Sequence, residues 1–196
     1  MIYGILLAAG SAKRFGGNKL IHIMPNSVAV AVASARNLKQ SLAHVIAVVR
    51  QSDVELSDML RTEGLDIICS EHAENGISAS LISGIQATVN ASGWLVALAD
   101  MPFIKPSTIS SIATMLENGA ELAAPYYAGL RGHPVGFSHT ILPDLLRLVG
   151  DQGAHKILHE KNDVLRQFHC NDPGILQDID TLEDIKNIYL SNKSQQ

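Results

Sequence analysis

Apolar residues in this chain fall into short runs separated by helical patterns. Runs at 2–8, 45–49 and 94–99 are apolar at nearly every position, as in strands buried on both faces. A run at 65–69 predicts a weaker fourth strand, and 122–124 a fifth. Between them the spacing changes. Val28, Val32, Ala35, Leu38 and Leu42 recur at helical intervals, as do Leu81, Ile82, Ile85 and Val89. Ile109, Ile112, Ala113 and Leu116 form a third stripe, opened by Pro106 and closed by Asn118-Gly119. Thr181 and Asp184 have the spacing of a capping box that starts a last helix through Ile185 and Ile188. Between Pro125 and Phe137 the alternation gives way to a loop and a strand at 134–137.

This order predicts an α/β fold: a three-layer, Rossmann-like open sheet, mostly parallel, with helices on both faces. Residues 1–191 read as a single domain and 192–196 as a frayed tail. A chain of 196 residues suits one domain and buries roughly 70% of its unfolded surface, so it needs no disulfide or metal staple. Ligands of such sheets bind beyond the carboxyl ends of the strands. Residues 9–19 and Asp100 are therefore the places to look.

Composition narrows the partners. With 46% hydrophobic residues but 5% aromatic, the core must be built from Ala, Val, Ile and Leu. Fifteen basic against 19 acidic residues, net −4, argue against a nucleic-acid partner or an anionic membrane surface. A small anionic ligand needs only a few local cations. Cys69 and Cys170 are far apart, with no CxxC, which indicates a reduced compartment and no cysteine metal site. Apolar runs fall far short of the ~20 residues of a membrane span. The N-terminus lacks the basic start of a secretion signal, so a cytoplasmic location is expected.

The segment LLAAGSAKRFGGNKL follows the first strand. Ala8, Ala9, Gly10 and Ser11 have little or no side chain, so backbone N–H groups can approach an anion closely. Arg14 and Lys19 add two cations, and Gly16-Gly17 lets the loop fold back. The result is a triphosphate cradle or, more simply, a strand-to-helix loop using glycine for its turns. Neither GxGxxG nor GxxxxGK[ST] is present, which disfavours a hydride-transfer enzyme and a P-loop ATPase.

LAAGSAKRFGGNK resembles the LAAGxSxRxGxxK signature of the nucleotidyltransferase family that includes the molybdenum cofactor cytidylyltransferases. Its relatives are molybdenum cofactor guanylyltransferases and methylerythritol cytidylyltransferases. Phe15 stands where Met is usual. The resemblance implies that Leu7, Ala8, Ala9, Gly10, Ser11, Arg14 and Lys19 wrap the nucleotide, with Arg14 and Lys19 on its phosphates. Ala8-Ala9 matches the cytidine-using branch, since the guanine-using branch tends to Gly-Gly.

Further motifs follow in family order. Asp100-Met101-Pro102 matches the metal-site motif, implying Mg²⁺ on Asp100 as a hard cation on an oxygen ligand. On chemistry alone Asp100 is equally a turn residue. DIDTLEDI resembles the closing DIDTPEDL, which makes Asp180 the second metal contact and holds Asp178 more loosely. Alternation places those two on one side of an extended segment, where they could equally face solvent or cap the last helix. The stretch from Glu74 to Leu81 could simply cap a helix, whereas the resemblance makes Gly76 and Ser80 nucleotide residues. RGHPVGF, carrying Arg131, Gly132 and His133, resembles the acceptor-side segment of the cytidylyltransferase branch. Gly150-Asp151-Gln152-Gly153-Ala154-His155 resembles GDxGAR with His155 in place of Arg. His155 and His159, four apart, read as surface residues.

Arg14, Lys19 and Asp100 are thus the expected catalytic set. The expected reaction transfers CMP from CTP to a phosphorylated pterin acceptor, molybdopterin, and releases pyrophosphate. A molybdoenzyme would be the downstream recipient. The alternatives are the same chemistry with GTP or another phosphorylated acceptor, and a non-enzymatic factor that carries the finished cofactor.

Overall fold

The computed structural model describes residues 1–10, 15 and 17–193. Ser11 and Arg14, two of the expected nucleotide residues, lie outside the described residues.

Among the described residues eight strands join one sheet. In chain order they are β1 (Ile2–Leu7), β2 (His44–Arg50), β3 (Asp66–Ser70), β4 (Gly93–Leu98), β5 (Leu122–Tyr127), β6 (Leu130–Arg131), β7 (Val135–Ser138) and β8 (Leu165–His169). Their spatial order is β3-β2-β1-β4-β7-β5-β6, with β8 on β5. The pairs β1–β2, β1–β4, β2–β3 and β5–β8 are parallel. Strand β7 is antiparallel to both β4 and β5. The helices are α1 (Val30–Ser41), α2 (Val54–Thr62), α3 (Ile77–Ala87), α4 (Pro106–Glu117), α5 (Leu142–Leu145), α6 (His155–Glu160) and α7 (Leu182–Lys193).

Strand alternation splits the core into two layers. Leu6 and Ala8 pack with Ala35, Leu38, Leu56, Leu60, Ile109 and Ile112, on the face covered by α1, α2 and α4. Ile5 and Leu7 pack with Leu81, Ile85, Leu145, Ile157 and Leu158, on the face covered by α3, α5 and α6. Successive side chains of β1 thus enter opposite layers, as expected for a strand buried on both sides. Gly84 lets α3 lie close to the sheet, because a Cβ there would meet Ile5 Cγ2 at 2.9 Å and Val48 Cγ2 at 3.0 Å. That approach sets the start of α3 over the carboxyl edge of β1.

The helical stripes hold with shifted ends. Val28 lies ahead of α1, and Val89 lies beyond α3, 41% exposed. The capping box forms: Asp184 accepts from Thr181 N–H at 2.6 Å, and Thr181 Oγ1 accepts from Asp184 N–H at 3.2 Å. Helix α7 runs through Lys193, two residues into the expected tail. Among the described residues no helix is long and apolar enough to cross a membrane.

Candidate active site

Reading along the order β3-β2-β1-β4, the chain leaves β1 toward β2 and later returns on the other side as β4. The carboxyl ends of β1 and β4 therefore flank a topological switch point, the usual crevice for ligands in open α/β sheets. Gly10 follows β1 and Asp100 follows β4, and both line the same crevice.

Lys19 is delivered by a short 3-10 turn, Lys19–Ile21, capped by Asn18, whose Oδ1 accepts from Leu20 N–H at 3.1 Å. Leu20 is buried in the core. Burying such a side chain contributes about 1.5–3 kcal/mol and anchors the loop's return. Lys19 Nζ then lies 2.8 Å from Asp100 Oδ2 and 2.8 Å from Asp180 Oδ1. Burial works against its charge, but hydrogen bonds to Asp100 and Asp180, and their charges, outweigh it and hold its pKa above the ordinary lysine value. The ammonium thus persists through the neutral range. The stability it lends is complete below that ordinary value and fades only as pH rises through the raised one.

The C-terminal carboxylates are positioned by backbone contacts. Ile179 N–H donates to Asp100 O at 2.9 Å, and the Ile179 side chain is fully buried beside Met24, Val30 and Ile185. Asp178 and Asp180 flank it and share the other side of the extended segment. Burial pushes the Asp178 carboxyl up, and the like charges of Asp100 and Asp180 add to this. Asp184 fixes the backbone beneath them by accepting from Asp180 N–H at 2.9 Å.

A cavity of about 510 Å³ opens above this cluster, lined by Leu7, Ala9, Gly10, Lys19, Gly76, Ser80 and Asp100 among others. Ala8 is the exception among the described residues expected on the nucleotide. Its methyl packs into the core instead. Arg50, Glu74, Ile77 and Asp151 also line the cavity and were not singled out from the sequence. Arg50 ends β2, so the strand-end rule that found Asp100 could have found it too. Gly76 has φ 99°, and a Cβ there would meet Asp151 Oδ1 and Gly150 O, so the start of α3 closes tightly against the 150–152 turn.

A second cavity of about 230 Å³ adjoins the first, and Leu7, Ile77, Leu98 and Asp151 line both. It receives Arg131, Gly132 and His133 from the link between β6 and β7, and the exposed His155 from α6. Gly132 N–H donates to Pro125 O at 2.9 Å and His133 N–H to Ile175 O at 3.0 Å, which fixes this link. His133 Nδ1 is buried, with no hydrogen-bond partner among the described residues. Burial lowers the imidazole pKa from 6.5 to about 4; the Arg131 charge adds to the fall and the Asp100 charge opposes it.

His133 is therefore neutral in the fold at neutral pH. Between pH 6.5 and about 4 the unfolded chain accepts a proton that the folded chain refuses, so stability falls with pH across that window. Urea unfolding at pH 7.5 and pH 5 should show a larger loss for wild type than for His133→Asn. Equal losses would show that His133 does not control this window.

Together these features define an α/β protein whose cleft brings Lys19 to the carboxylate-bearing end of β4. The chain belongs to the MobA-like NTP transferase domain family, whose profile matches residues 4–164, and its reaction class is nucleotidyl transfer. It is 26% identical to nicotine blue oxidoreductase of Paenarthrobacter nicotinovorans and 27% identical to purine catabolism protein PucB of Bacillus subtilis, over 93% of each chain. Among solved structures it resembles Rv0371c of Mycobacterium tuberculosis, with TM-score 0.81, 27% identity and coverage of 95% and 96% of the two chains. A manganese complex of that protein matches with TM-score 0.78 at 25% identity, covering 97% and 98%.

Proposed function

We propose that this protein transfers CMP from CTP to a phosphorylated pterin, molybdopterin, and releases pyrophosphate. The observation that carries the reading is the meeting of Lys19, from the glycine loop, with Asp100, from the β4 end, on the floor of one cavity. The RGHPVGF segment supports the acceptor by lining the adjoining cavity with Arg131, Gly132 and His133. One relative is named an oxidoreductase, but this chain has no GxGxxG loop for a nicotinamide cofactor.

The residues present fit a divalent cation. Asp100 Oδ1 is buried without a hydrogen-bond partner among the described residues, and the donors at hand are hard carboxylate oxygens. No group of three or more His, Cys, Asp or Glu residues able to hold a metal occurs among the described residues. Mg²⁺ needs no such group, since one or two carboxylates suffice when substrate phosphates complete its shell. Asp100 and Asp180 would hold it. When bound, it would neutralise charge on the phosphate oxygens. The Mn²⁺ complex of Rv0371c is in keeping with this reading.

The acceptor phosphate attacks the α-phosphorus in line, and pyrophosphate departs toward the glycine loop. That phosphate is already anionic near neutral pH, so no strong general base is required. Lys19 and Arg14 offset the charge gathering on the leaving group. Catalysis is then positioning plus electrostatic stabilisation.

Pyrophosphate release with CTP and with GTP, each with and without molybdopterin, tests the proposal. Turnover only with CTP plus acceptor supports it, and a preference for GTP overturns the cytidine assignment. Pterin retained without turnover of either triphosphate would make the protein a carrier instead.

Base choice is predicted to rest on one methyl of the Ala8-Ala9 pair. Ala9 faces the cavity and Ala8 the core. Ala9→Gly should therefore raise GTP turnover relative to CTP. Ala8→Gly should leave that ratio unchanged and cost roughly 1 kcal/mol of stability through a lost buried methyl and a looser backbone. Steady-state rates with both triphosphates and urea melts would check this pair.

A further inference from the structure

Among the described residues the main cavity offers a triphosphate little unopposed positive charge. Among the described residues its cationic lining is Lys19 and Arg50, set against Glu74, Asp100 and Asp151. Lys19 is already shared between two carboxylates at 2.8 Å each. Arg50 is engaged differently. It is the half-buried last residue of β2, and its Nε donates to a neutral acceptor, Ala9 O, at 2.7 Å. That bond uses one of the five N–H donors of a guanidinium. Arg50 also borders a neighbouring open hollow of about 520 Å³, so its head group stands where the cavity meets solvent.

We propose that Arg50 is a positioning and phosphate-binding residue of this site. Its Nε holds the Ala9 carbonyl and so sets the plane of the Ala9–Gly10 peptide. Because that peptide is rigid, the direction of the Gly10 N–H at the head of the loop is set with it. The remaining edge of the guanidinium meets oxygens of the triphosphate, a planar fork suited to phosphate. This rests on the nucleotide reading above but adds to it, since strand β2 then contributes to the grip alongside β1 and β4.

The test uses the full chain, inorganic tripolyphosphate as a base-free probe by calorimetry, and CTP kinetics. Arg50→Met should weaken tripolyphosphate binding roughly tenfold or more and raise the KM for CTP in step. The KM for the acceptor should stay where it is. Arg50→Lys, which keeps the charge without the fork, should recover part of the lost affinity. A merely structural role would lower the active fraction, and so the apparent kcat, while leaving KM alone. Unchanged tripolyphosphate affinity in Arg50→Met, or no recovery in Arg50→Lys, overturns the proposal. If Arg50→Met does not fold by circular dichroism, Arg50→Gln, neutral and polar, is held to the same expectation. Wild-type protein that binds neither CTP nor tripolyphosphate would sink the nucleotide reading itself, an outcome distinct from an Arg50 variant that binds as well as wild type.

Discussion

Asp100→Asn is expected to slow pyrophosphate release ~10²–10³-fold, about 3–4 kcal/mol of barrier, the usual cost of removing one well-placed electrostatic group. The substitution keeps the shape of the side chain at the end of β4 and leaves the Asp100 backbone carbonyl to accept from Ile179 N–H. What disappears is the charge paired with Lys19, and one of the two carboxylate oxygens becomes an amide nitrogen that cannot ligate a cation. The fold should survive, with a melting temperature within a few degrees of wild type. Steady-state pyrophosphate release with saturating CTP and acceptor measures the effect. Near-normal turnover by a folded Asp100→Asn protein would remove Asp100 from the chemistry.

Lys19→Met is expected to cause a loss of similar size, ~10²–10³-fold in turnover, with a different signature. Lys19 is the cation that Asp100 and Asp180 share. Without it Asp100, Asp180 and Asp178 lose a shared positive charge and repel one another more strongly. The variant should therefore be less stable at pH 7 than at pH 5, where protonation begins to relieve the repulsion. It should also take up Mn²⁺ more readily in the absence of nucleotide, because the ammonium no longer competes for the same oxygens. Thermal melts at the two pH values and Mn²⁺ titration check both signs. A variant equally stable at both pH values, with unaltered Mn²⁺ affinity, would mean that the Lys19 bridge does not govern the cluster.

The parallel half of the sheet was legible because burial on both faces leaves uninterrupted apolar runs. Each of the five strands expected from them forms, as does the separately expected strand at 134–137, with ends moved by one to three residues. Helix α2 escaped because its buried positions, Leu56, Ser57 and Leu60, are few and one is polar. Strand β8 escaped because Leu165 is its one buried residue, so no apolar run announces it. In the site, motif spacing singled out Lys19, Asp100 and Asp180, whose charged groups lie together, with Lys19 Nζ 2.8 Å from each carboxylate. It could not distinguish Ala8 from Ala9, because which neighbour faces the cavity depends on strand register. Arg50 lies in no motif, though it ends β2, and Glu74 and Asp151 lie in motifs that gave them no role of their own; their membership in the cavity comes from where β2, the 73–75 turn and the 150–152 turn meet in space.

Strand β7 carries a consequence for how such proteins diversify. Running against β4, it brings a beginning, not an ending, to the ligand-bearing rim, so the link from Arg131 to Pro134 arrives beside the residues that follow β4. One wall of the cleft is encoded almost wholly before residue 101 and the opposite wall after residue 128. On the proposed reading, substitutions in the β6–β7 link would reshape the acceptor wall while the wall before residue 101 keeps its hold on phosphate, so a single scaffold could change cargo by drift in one short link.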